Sequence, residues 1–464
     1  MNRLFVWSLT AALAGFLFGF DTVVISGAEK RIQSLWSLGD LQHGWAMSMA
    51  LWGTVIGSLV GGWPTNQFGR KGTLLGIGIL YFVSAVWSAL ANDVDSFMIA
   101  RFIGGIGVGI STVAAPLYIS EIAPAEYRGR LAGMFQFNIV FGILVAMVSN
   151  TLLSGLGENA WRWMLGVEAV PALIYSIMCI GLPQSPRWLI SQKSDPQKAT
   201  VVMQQLQPEA SSSDIEKQIN EISGLTKSAA QSTGSADSED ANSFWGHRMR
   251  KPITLAFLIA FFNQLSGVNA ILYFAPRIFE QTGLGEKAAL LQTVGIGVTN
   301  LVFTFVGLWL IDRLGRKTLL FIGSLGYIAS LGLCSWAFFT ESFDVTIFHI
   351  PIVPACIFAF IAAHAVGQGA VIWVFISEIF PNRHRAIGQS LGCFTHWIFA
   401  ALLTLFFPFF VGKSPEEKGL VPPGYVFGFF CFMMVLQLIW VATRVPETKG
   451  RPLEQIEIDM GITS

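Results

Sequence analysis

The sequence predicts an all-α membrane protein with twelve transmembrane helices, arranged as two six-helix halves that repeat one another. Three observations indicate this fold class: an apolar composition, twelve apolar runs of membrane-crossing length, and three motifs that each occur twice. The 464 residues are 53% hydrophobic and 12% charged, with a mean hydropathy of +0.57. A soluble protein typically carries about 25% charged residues, so the composition excludes a soluble protein. The net charge is zero and indicates no particular partner.

Twelve apolar runs are long enough to form transmembrane helices, because a helix needs about 20 such residues to cross the hydrocarbon core. The predicted spans are residues 4–25, 44–64, 73–91, 97–119, 131–154, 163–182, 253–275, 290–311, 319–339, 351–376, 387–411 and 424–442. A single charge, Arg3, precedes the first run, and no small-residue cleavage site follows it. We therefore expect this run to be a retained span and not a removed signal peptide.

The Lys and Arg residues of the connections predict the orientation in the membrane, since they are enriched in cytoplasmic loops. One side of the predicted bundle carries most of them: Arg70, Lys71, Arg128, Arg130, Arg187, Arg248, Arg250, Lys251, Arg313, Arg316, Lys317, Arg383, Arg385, Arg444, Lys449 and Arg451. The other side carries only Lys30, Arg31, Arg162, Arg277, Lys287, Lys413 and Lys418. We expect the basic side to be cytoplasmic, together with both termini.

One long polar segment, residues 183–250, separates spans six and seven. Residues 196–206 predict a short helix that begins with Pro, and a serine cluster at 211–213 precedes a second one. Residues 228–243 are rich in Ser, Ala, Asp and Gly and predict a flexible tether. We interpret the segment as a linker with surface helices, and a regulatory contact is the alternative.

Three short motifs occur once in each half of the chain, at the same points in the order of spans. The first copies are Asn66 to Lys71, Ser120 to Pro124 and Pro183 to Arg187, and the second copies are Asp312 to Lys317, Ser377 to Pro381 and Pro446 to Gly450. The copies are 246, 257 and 263 residues apart, so the halves repeat in parallel. Two homologous halves around a central site are typical of secondary transporters. The predicted division is a first half at 1–182, a connection at 183–250 and a second half at 251–464.

These motifs resemble those of the sugar porter family of the major facilitator superfamily, and the similarity extends nearly from end to end. It covers Gly19 to Asp21, Gly69 to Lys71, Arg101 with Gly104 to Gly109, Glu121 to Arg128, Gln264 to Asn269, Ser377 to Pro381 and Pro446 to Gly450. Some members of this family carry out xylose–proton symport in bacteria, and others carry out facilitative glucose transport. The resemblance implies the major facilitator fold and alternating access, in which the two halves tilt about a central sugar.

Two ionisable residues are predicted inside the membrane: Asp21 deep in span one and Arg101 near the outer end of span four. A charge in hydrocarbon must be paired or neutralised, and such residues are functional candidates. An acid at the position of Asp21 resembles the proton-coupling residue of symporters in the family, whereas facilitative glucose transporters have Asn. The resemblance implies that Asp21 takes a proton outside, releases Arg101 and loses the proton inside. The alternative is a fixed structural ion pair.

A group of amides lies within span seven, where Gly267 also interrupts the helical pattern. An unpaired amide in hydrocarbon costs about 4–8 kcal/mol, which favours a wet cavity for a polyhydroxylated solute, although a single amide can also bond between helices. Amides donate and accept, as sugar hydroxyls do, and Trp offers an apolar face to a sugar ring. With the family motifs, the predicted substrate residues are Gln136, Asn263, Gln264, Asn269, Tyr273, Asn300, Trp373, His396 and Trp397.

Some positions depart from the family pattern and limit the prediction of the substrate. Asn263 replaces the first Gln of a Gln-Gln pair, and His396 stands where relatives have Gln or Asn. The stretch Gly367 to Ala370, which includes Gln368, replaces a proline-bearing segment, and we expect it to change how span ten bends. His364 has no such positional support and is interpreted as structural.

The predicted cytoplasmic loops combine Arg and Glu in both halves. Basic residues alone would orient the protein, but acids contribute little to orientation. The resemblance implies charge-assisted pairs that latch the outward-facing state and break when the inside opens. The predicted latch residues are Arg70, Glu121, Arg128, Arg316, Glu378 and Arg385. Asn66 stands in place of the family's Asp and is expected to weaken the latch of the first half.

The sequence therefore predicts a sugar transporter of the plasma (inner) membrane that carries out proton-coupled symport of a hexose, pentose or related polyol. An uncoupled facilitator is the first alternative. A sugar sensor is the second, although only Thr443 to Ser464 follow the last span. We expect no cofactor beyond the coupling proton, no metal or catalytic site, no nucleic-acid partner, and a monomer in the lipid bilayer. The cysteines lie in apolar runs and predict no disulfide framework: Cys179, Cys334, Cys356, Cys393 and Cys431.

Overall fold

A computed structural model describes residues 2–124, 128–232, 244–381, 384–412, 419–451 and 453–460. Its α-helices are α1 (Asn2–Val24), α2 (Glu29–Leu35), α3 (Asp40–Val60), α4 (Gly62–Gln67), α5 (Gly69–Leu90), α6 (Val94–Ile122), α7 (Arg128–Leu153), α8 (Ala160–Gly166), α9 (Ala169–Ile180), α10 (Pro186–Lys193), α11 (Pro196–Leu206), α12 (Ser212–Ser232), α13 (Arg250–Leu265), α14 (Val268–Glu280), α15 (Glu286–Leu314), α16 (Arg316–Thr340), α17 (Ile352–His364), α18 (Ala370–Ile379), α19 (Arg385–Val411), α20 (Pro423–Arg444) and α21 (Leu453–Asp459). Shorter elements are the 3-10 turns Ile25–Gly27, Gly157–Asn159 and His247–Met249, the π turn Ala365–Gly369, and the antiparallel strands β1 (Thr346–Ile347) and β2 (Ile350–Pro351).

Within these residues, eleven helical segments are long and apolar enough to cross a membrane. They coincide with eleven of the twelve predicted spans and confirm an all-helical membrane protein. The remaining span, predicted at 44–64, forms helix α3. This helix contains several Gly, Ser, Thr and Trp residues and is less apolar than the eleven, so a twelfth span stays a prediction.

Corresponding helices of the two predicted halves make corresponding contacts. In the first half, α1 packs on α7, α3 on α6 and α5 on α9. In the second half, α13 packs on α19, α15 on α17 and the π turn, and α16 on α20. Spans one, two and three of the first half thus pack on spans five, four and six, and spans seven, eight and nine of the second half pack on spans eleven, ten and twelve. The same pairing in both halves is expected of parallel repeats.

The two halves meet along two helix pairs, α3 with α19 and α7 with α15. Gly44 of α3 lies so close to α19 that a Cβ there would come within 2.0 Å of the carbonyl oxygen of Leu405. Both glycine and carbonyl lie toward one end of the bundle, where α2 and the start of α15 are found. We call this the far end, and we call the end that holds Arg70 and Arg316 the basic end.

The first part of the connection at 183–250 folds into the short helices α10, α11 and α12. Their apolar faces form a small core of their own, which includes Trp188, Met203 and Ile215. The helix predicted at 196–206 is α11, whereas α12 extends to Ser232 and so takes in the start of the predicted tether. The rest of the tether, 233–243, lies outside the described residues.

Candidate functional site

The amide-rich stretch of span seven lies at a break between α13 and α14. Helix α13 ends at Leu265, and Gly267 adopts the left-handed region with φ +86°. Glycine adopts this φ without the steric cost that a Cβ brings, and a Cβ there would also lie 2.5 Å from the ring of Phe430. The break allows Asn269 to reach back to Gln264, five positions earlier, which a regular helix would place on a different face.

Gln264 is fully buried, and its amide is hydrogen-bonded through both of its polar atoms. Its Nε2 donates to Oδ1 of Asn263 at 3.0 Å and lies 3.1 Å from Nε2 of His396. Its Oε1 accepts a hydrogen bond from Nδ2 of Asn269 at 2.7 Å. The structure thus brings together four of the predicted substrate residues, and two of them, Asn263 and His396, are departures from the family pattern.

Aromatic side chains surround the imidazole of His396. Its ring centroid lies 5.2 Å from that of Trp373 and 4.7 Å from that of Trp397. Phe18 of α1 approaches Trp397 to 5.5 Å and brings the first half to the same place. Nε1 of Trp397 and the hydroxyl of Tyr273 are buried without a hydrogen-bond partner in the described part of the chain. Buried Trp and Tyr usually find such partners, so both atoms suit the hydroxyls of a bound solute.

Two predicted substrate residues stand apart from this cluster. Asn300 is buried on α15 and Gln136 is half-buried on α7. No hydrogen bond in the described residues joins either of them to Gln264 or His396. Their substrate roles stay predictions.

Asp21 and Arg101 form a buried ion pair, as predicted for two opposite charges inside the apolar part of the membrane. Nη1 of Arg101 donates to Oδ1 of Asp21 at 2.6 Å, and Nη2 donates to the backbone carbonyl of Asp21 at 3.0 Å. The two side chains are 2% and 1% exposed, which leaves the pair no water to screen it.

A second carboxyl, Glu168, belongs to this site and was missed by the sequence analysis. It lies just before α9, is 1% exposed, and interacts electrostatically with both Asp21 and Arg101. Oε1 of Glu168 and Oδ2 of Asp21 are both buried without a hydrogen-bond partner among the described residues. A carboxylate only accepts hydrogen bonds, so these two oxygens could bond to one another only when one of the carboxyls carries a proton. The signal was present in the sequence, because Glu168 is an acid inside the predicted span at 163–182.

The predicted Arg and Glu pairs form at the basic end, one in each half. Arg70 binds Glu121 through two hydrogen bonds of 2.9 and 2.7 Å, and Arg316 binds Glu378 in the same way at 3.1 and 2.8 Å. Nη1 of Arg70 also donates to Oδ1 of Asn66 at 3.2 Å. Each pair lies within one half, so neither pair ties the halves together in this structure.

Arg385, one of the predicted latch residues, makes no ion pair with Glu121 or Glu378 in the described part of the chain. The oxygens of Glu378 accept from Arg316 and, at 2.6 Å, from the hydroxyl of Thr448. Nε and Nη2 of Arg385 are buried without a hydrogen-bond partner among the described residues. The side chain of Arg128 lies outside the described residues.

The departure at Gly367 to Ala370 coincides with the π turn in span ten. Gly367 approaches Gly323 of α16 closely, because a Cβ on it would lie 2.9 Å from the Cα of Gly323. Helices often bend at a π turn, and the expected change in the bend of span ten stays a prediction. His364, just before the turn, lies 2.7 Å from the hydroxyl of Tyr327 through Nδ1 and fits a structural role.

The apolar helical bundle encloses a buried cluster of amides and aromatic rings and a buried ion pair, an arrangement typical of multi-pass membrane transporters. The chain matches the family described as "Sugar (and other) transporter" over residues 7–460. It belongs to this family, which confirms the predicted relationship to the sugar porters.

Two relatives and one solved structure illustrate the similarity. The chain is 32% identical to the arabinose-proton symporter of Bacillus subtilis over 463 residues, which are 98% of this chain and 95% of that one. It is 31% identical to the D-xylose-proton symporter of Escherichia coli K12 over 494 aligned positions, 98% of this chain and 96% of that one. An inward-open structure of the xylose transporter XylE from E. coli superposes with a TM-score of 0.81 at 29% identity, covering 98% and 99% of the two chains. These relatives are transporters, which confirms the expectation that the chain is not an enzyme.

Proposed function

We propose that this chain carries a monosaccharide, a hexose or a pentose, together with protons across the plasma (inner) membrane by alternating access. The proposal includes twelve spans, with the basic end and both termini on the cytoplasmic side. The observation that carries it is the buried pair of Asp21 and Arg101 with Glu168 beside it. The two relatives described above are named as proton symporters of pentoses, which supports the same coupling.

In the proposed site, the sugar exchanges its hydroxyl hydrogen bonds with the amides of Asn263, Gln264 and Asn269. These amides already bond to one another, so a sugar that replaces one amide partner costs little net hydrogen bonding. Trp373 and Trp397 present apolar surface to the C–H groups of the sugar ring. Gln136 of the first half and Asn300 of the second are proposed to complete the site when the halves move.

The proposed coupling follows from the charge balance around Arg101. One guanidinium and two carboxyls that share one proton sum to zero charge. A second proton gives the buried group a net positive charge, which the surrounding apolar medium disfavours. Proton binding therefore favours a conformation in which Asp21 and Arg101 separate and meet water. This links the protonation of Asp21 to the direction in which the cavity opens.

Transport by purified protein in proteoliposomes tests the proposal. An outside-acidic pH gradient should drive labelled D-xylose or D-glucose above its equilibrium level, and added sugar should carry protons inward, as an internal pH dye reports. Equilibration without accumulation or proton entry would instead indicate an uncoupled uniporter. Binding without flux would indicate a sensor. A competition panel of hexoses, pentoses and polyols against the labelled sugar would then identify the substrate.

A further inference from the structure

At the far end, Arg277 lies in a buried polar cluster that the sequence analysis did not anticipate. Its Nε donates to Oε1 of Glu29 at 2.9 Å and its Nη2 to Oε2 of Glu29 at 2.7 Å. Nη2 also donates to Gln33 at 2.5 Å, and Nη1 to the carbonyl of Gly412 at 3.2 Å. Nε2 of His43 lies 2.9 Å from Oε2 of Glu29. Arg277 and Glu29 are each 1% exposed, so this bidentate pair is shielded from water.

The cluster joins the two halves of the chain. Glu29 lies on α2 and His43 on α3, both in the first half, whereas Arg277 lies on α14 in the second. A more exposed ion pair, Lys30 with Glu280, joins α2 to α14 nearby. Opening of the far end moves α2 and α3 away from α14, so it must separate Arg277 from Glu29.

The cluster also lies directly above the proposed sugar site. Asn269 and Tyr273 are four residues apart on α14 and follow one stripe of the helix. Arg277 is four residues further along the same element, beyond a kink at Phe274. Asn269 belongs to the amide cluster and Arg277 to the far-end cluster, with the buried hydroxyl of Tyr273 between them. A solute that enters from the far end therefore passes Arg277 before it reaches the amides.

The charges of the cluster are held in the ionised state. Burial alone would raise the pKa of the Glu29 carboxyl, but the charge of Arg277 and the hydrogen bond from His43 outweigh it and lower the pKa from 4.5 to about 2. A buried ion pair that loses one partner leaves an uncompensated charge, which is strongly unfavourable, whereas removal of both charges is often nearly neutral.

We propose that Arg277, Glu29 and His43 form a latch that holds the far end shut and whose strength sets the balance between inward-facing and outward-facing states. This proposal rests on the proposed alternating access and names the contact that keeps one of the two ends closed. It complements the ion pairs at the basic end, because it joins the two halves directly, whereas those pairs lie within each half.

Distance measurements across the far end test the latch. Spin labels are placed on cysteines introduced at Leu156 and Leu420, which are exposed and belong to the first and second halves, in a variant without the five native cysteines. Pulsed EPR in nanodiscs without sugar then gives the ratio of open to shut far ends. Arg277→Gln and Glu29→Gln should each raise this ratio about tenfold or more, because each leaves a buried charge unpaired in the shut state alone.

The double variant distinguishes a latch from general destabilisation. Glu29→Gln combined with Arg277→Gln should return toward the wild-type ratio, since no unpaired charge is left. Lys30→Gln is the matched control, because its half-exposed pair should change the ratio less than about twofold. Folded single variants with the wild-type distance distribution would overturn the latch, as would additive effects in the double variant. If Arg277→Gln does not fold, Glu29→Gln and the double variant still decide the question. The measurement needs no sugar flux or proton gradient, so its failure would leave the proposed transport intact.

Discussion

Arg101 holds Asp21 through two independent contacts, one to the carboxylate at 2.6 Å and one to the backbone carbonyl at 3.0 Å. The second contact does not depend on the protonation of the side chain. Protonation of the carboxyl therefore weakens only the first contact directly, and separation of the two residues must also break the second. Because the backbone contact does not require the carboxylate, Asp21 can be substituted to test proton coupling while one contact to Arg101 remains.

Asp21→Asn should abolish accumulation of sugar against its gradient, while counterflow exchange of labelled sugar survives. The amide has nearly the same shape and still accepts from Arg101, but it cannot bind and release a proton. Accumulation under an outside-acidic gradient and counterflow are measured in the same proteoliposomes. Accumulation that persists in the variant would show that Asp21 is not the coupling residue.

Glu168 should become the only counter-ion of Arg101 when Asp21 is replaced. Asp21→Asn combined with Glu168→Gln should therefore destabilise the protein strongly, by about 3–5 kcal/mol, because it leaves a buried guanidinium without a carboxylate. Each single variant should lose much less. The melting temperature in detergent of the three variants gives the comparison, and simple additivity would contradict a shared role of the two carboxyls.

Sugar preference should depend on His396, which contacts Gln264 and whose ring is tilted toward Trp373 and edge-on to Trp397. His396→Gln restores the amide type of the family and should change the ratio of kcat/KM between a pentose and a hexose by about tenfold, the value of one hydrogen bond. His364→Gln is the control, because His364 contacts Tyr327 and should affect stability without altering preference. Asn263→Gln tests the other departure, and an unchanged preference there would mean that this departure is incidental.

The sequence-based predictions succeeded where the apolar membrane interior or the repeated motifs restrict which partners a polar side chain can have. Asp21 and Arg101 had to be paired because hydrocarbon solvates neither, and Gln264 needed partners for the same reason. Glu168 was missed although the same argument applied to it, because no motif drew attention to that span. The pair of Arg277 with Glu29 could not be predicted, since these residues are 248 positions apart and neither is part of a repeated motif. Glu378 pairs with Arg316 and not with Arg385, although both were predicted latch residues, because motif position does not decide which of two cations a carboxylate binds.

Glu378→Gln should shift the protein toward the inward-open state, because Gln accepts only one of the two hydrogen bonds from Arg316 that organise the basic end of the second half and leaves the charge of Arg316 unpaired. Hydrogen bonds to charged groups contribute about 1.5–3 kcal/mol each, so the melting temperature should also fall. Asp312→Asn is the matched control: Asp312 is 83% exposed and lies 3.5 Å from Arg316, and its loss should have little effect. Modification of introduced cysteines from the two sides gives the population, and unchanged accessibility would contradict the prediction.

Acid at the far end, the external side in the proposed orientation, should open it through Glu29. Its pKa is about 2 in the shut state and should return toward 4.5 when Arg277 and His43 move away and water enters. A lowered pKa means that the carboxylate stabilises the shut state above pH 4.5 and that this stabilisation is lost as the pH falls toward 2. At about pH 4, the open-to-shut ratio should be roughly fourfold higher than at neutral pH. The spin-label distances report the ratio, and Glu29→Gln corrects for the other titratable groups nearby, His43 and Asp40. If wild type and Glu29→Gln respond equally to acid, Glu29 does not carry the effect.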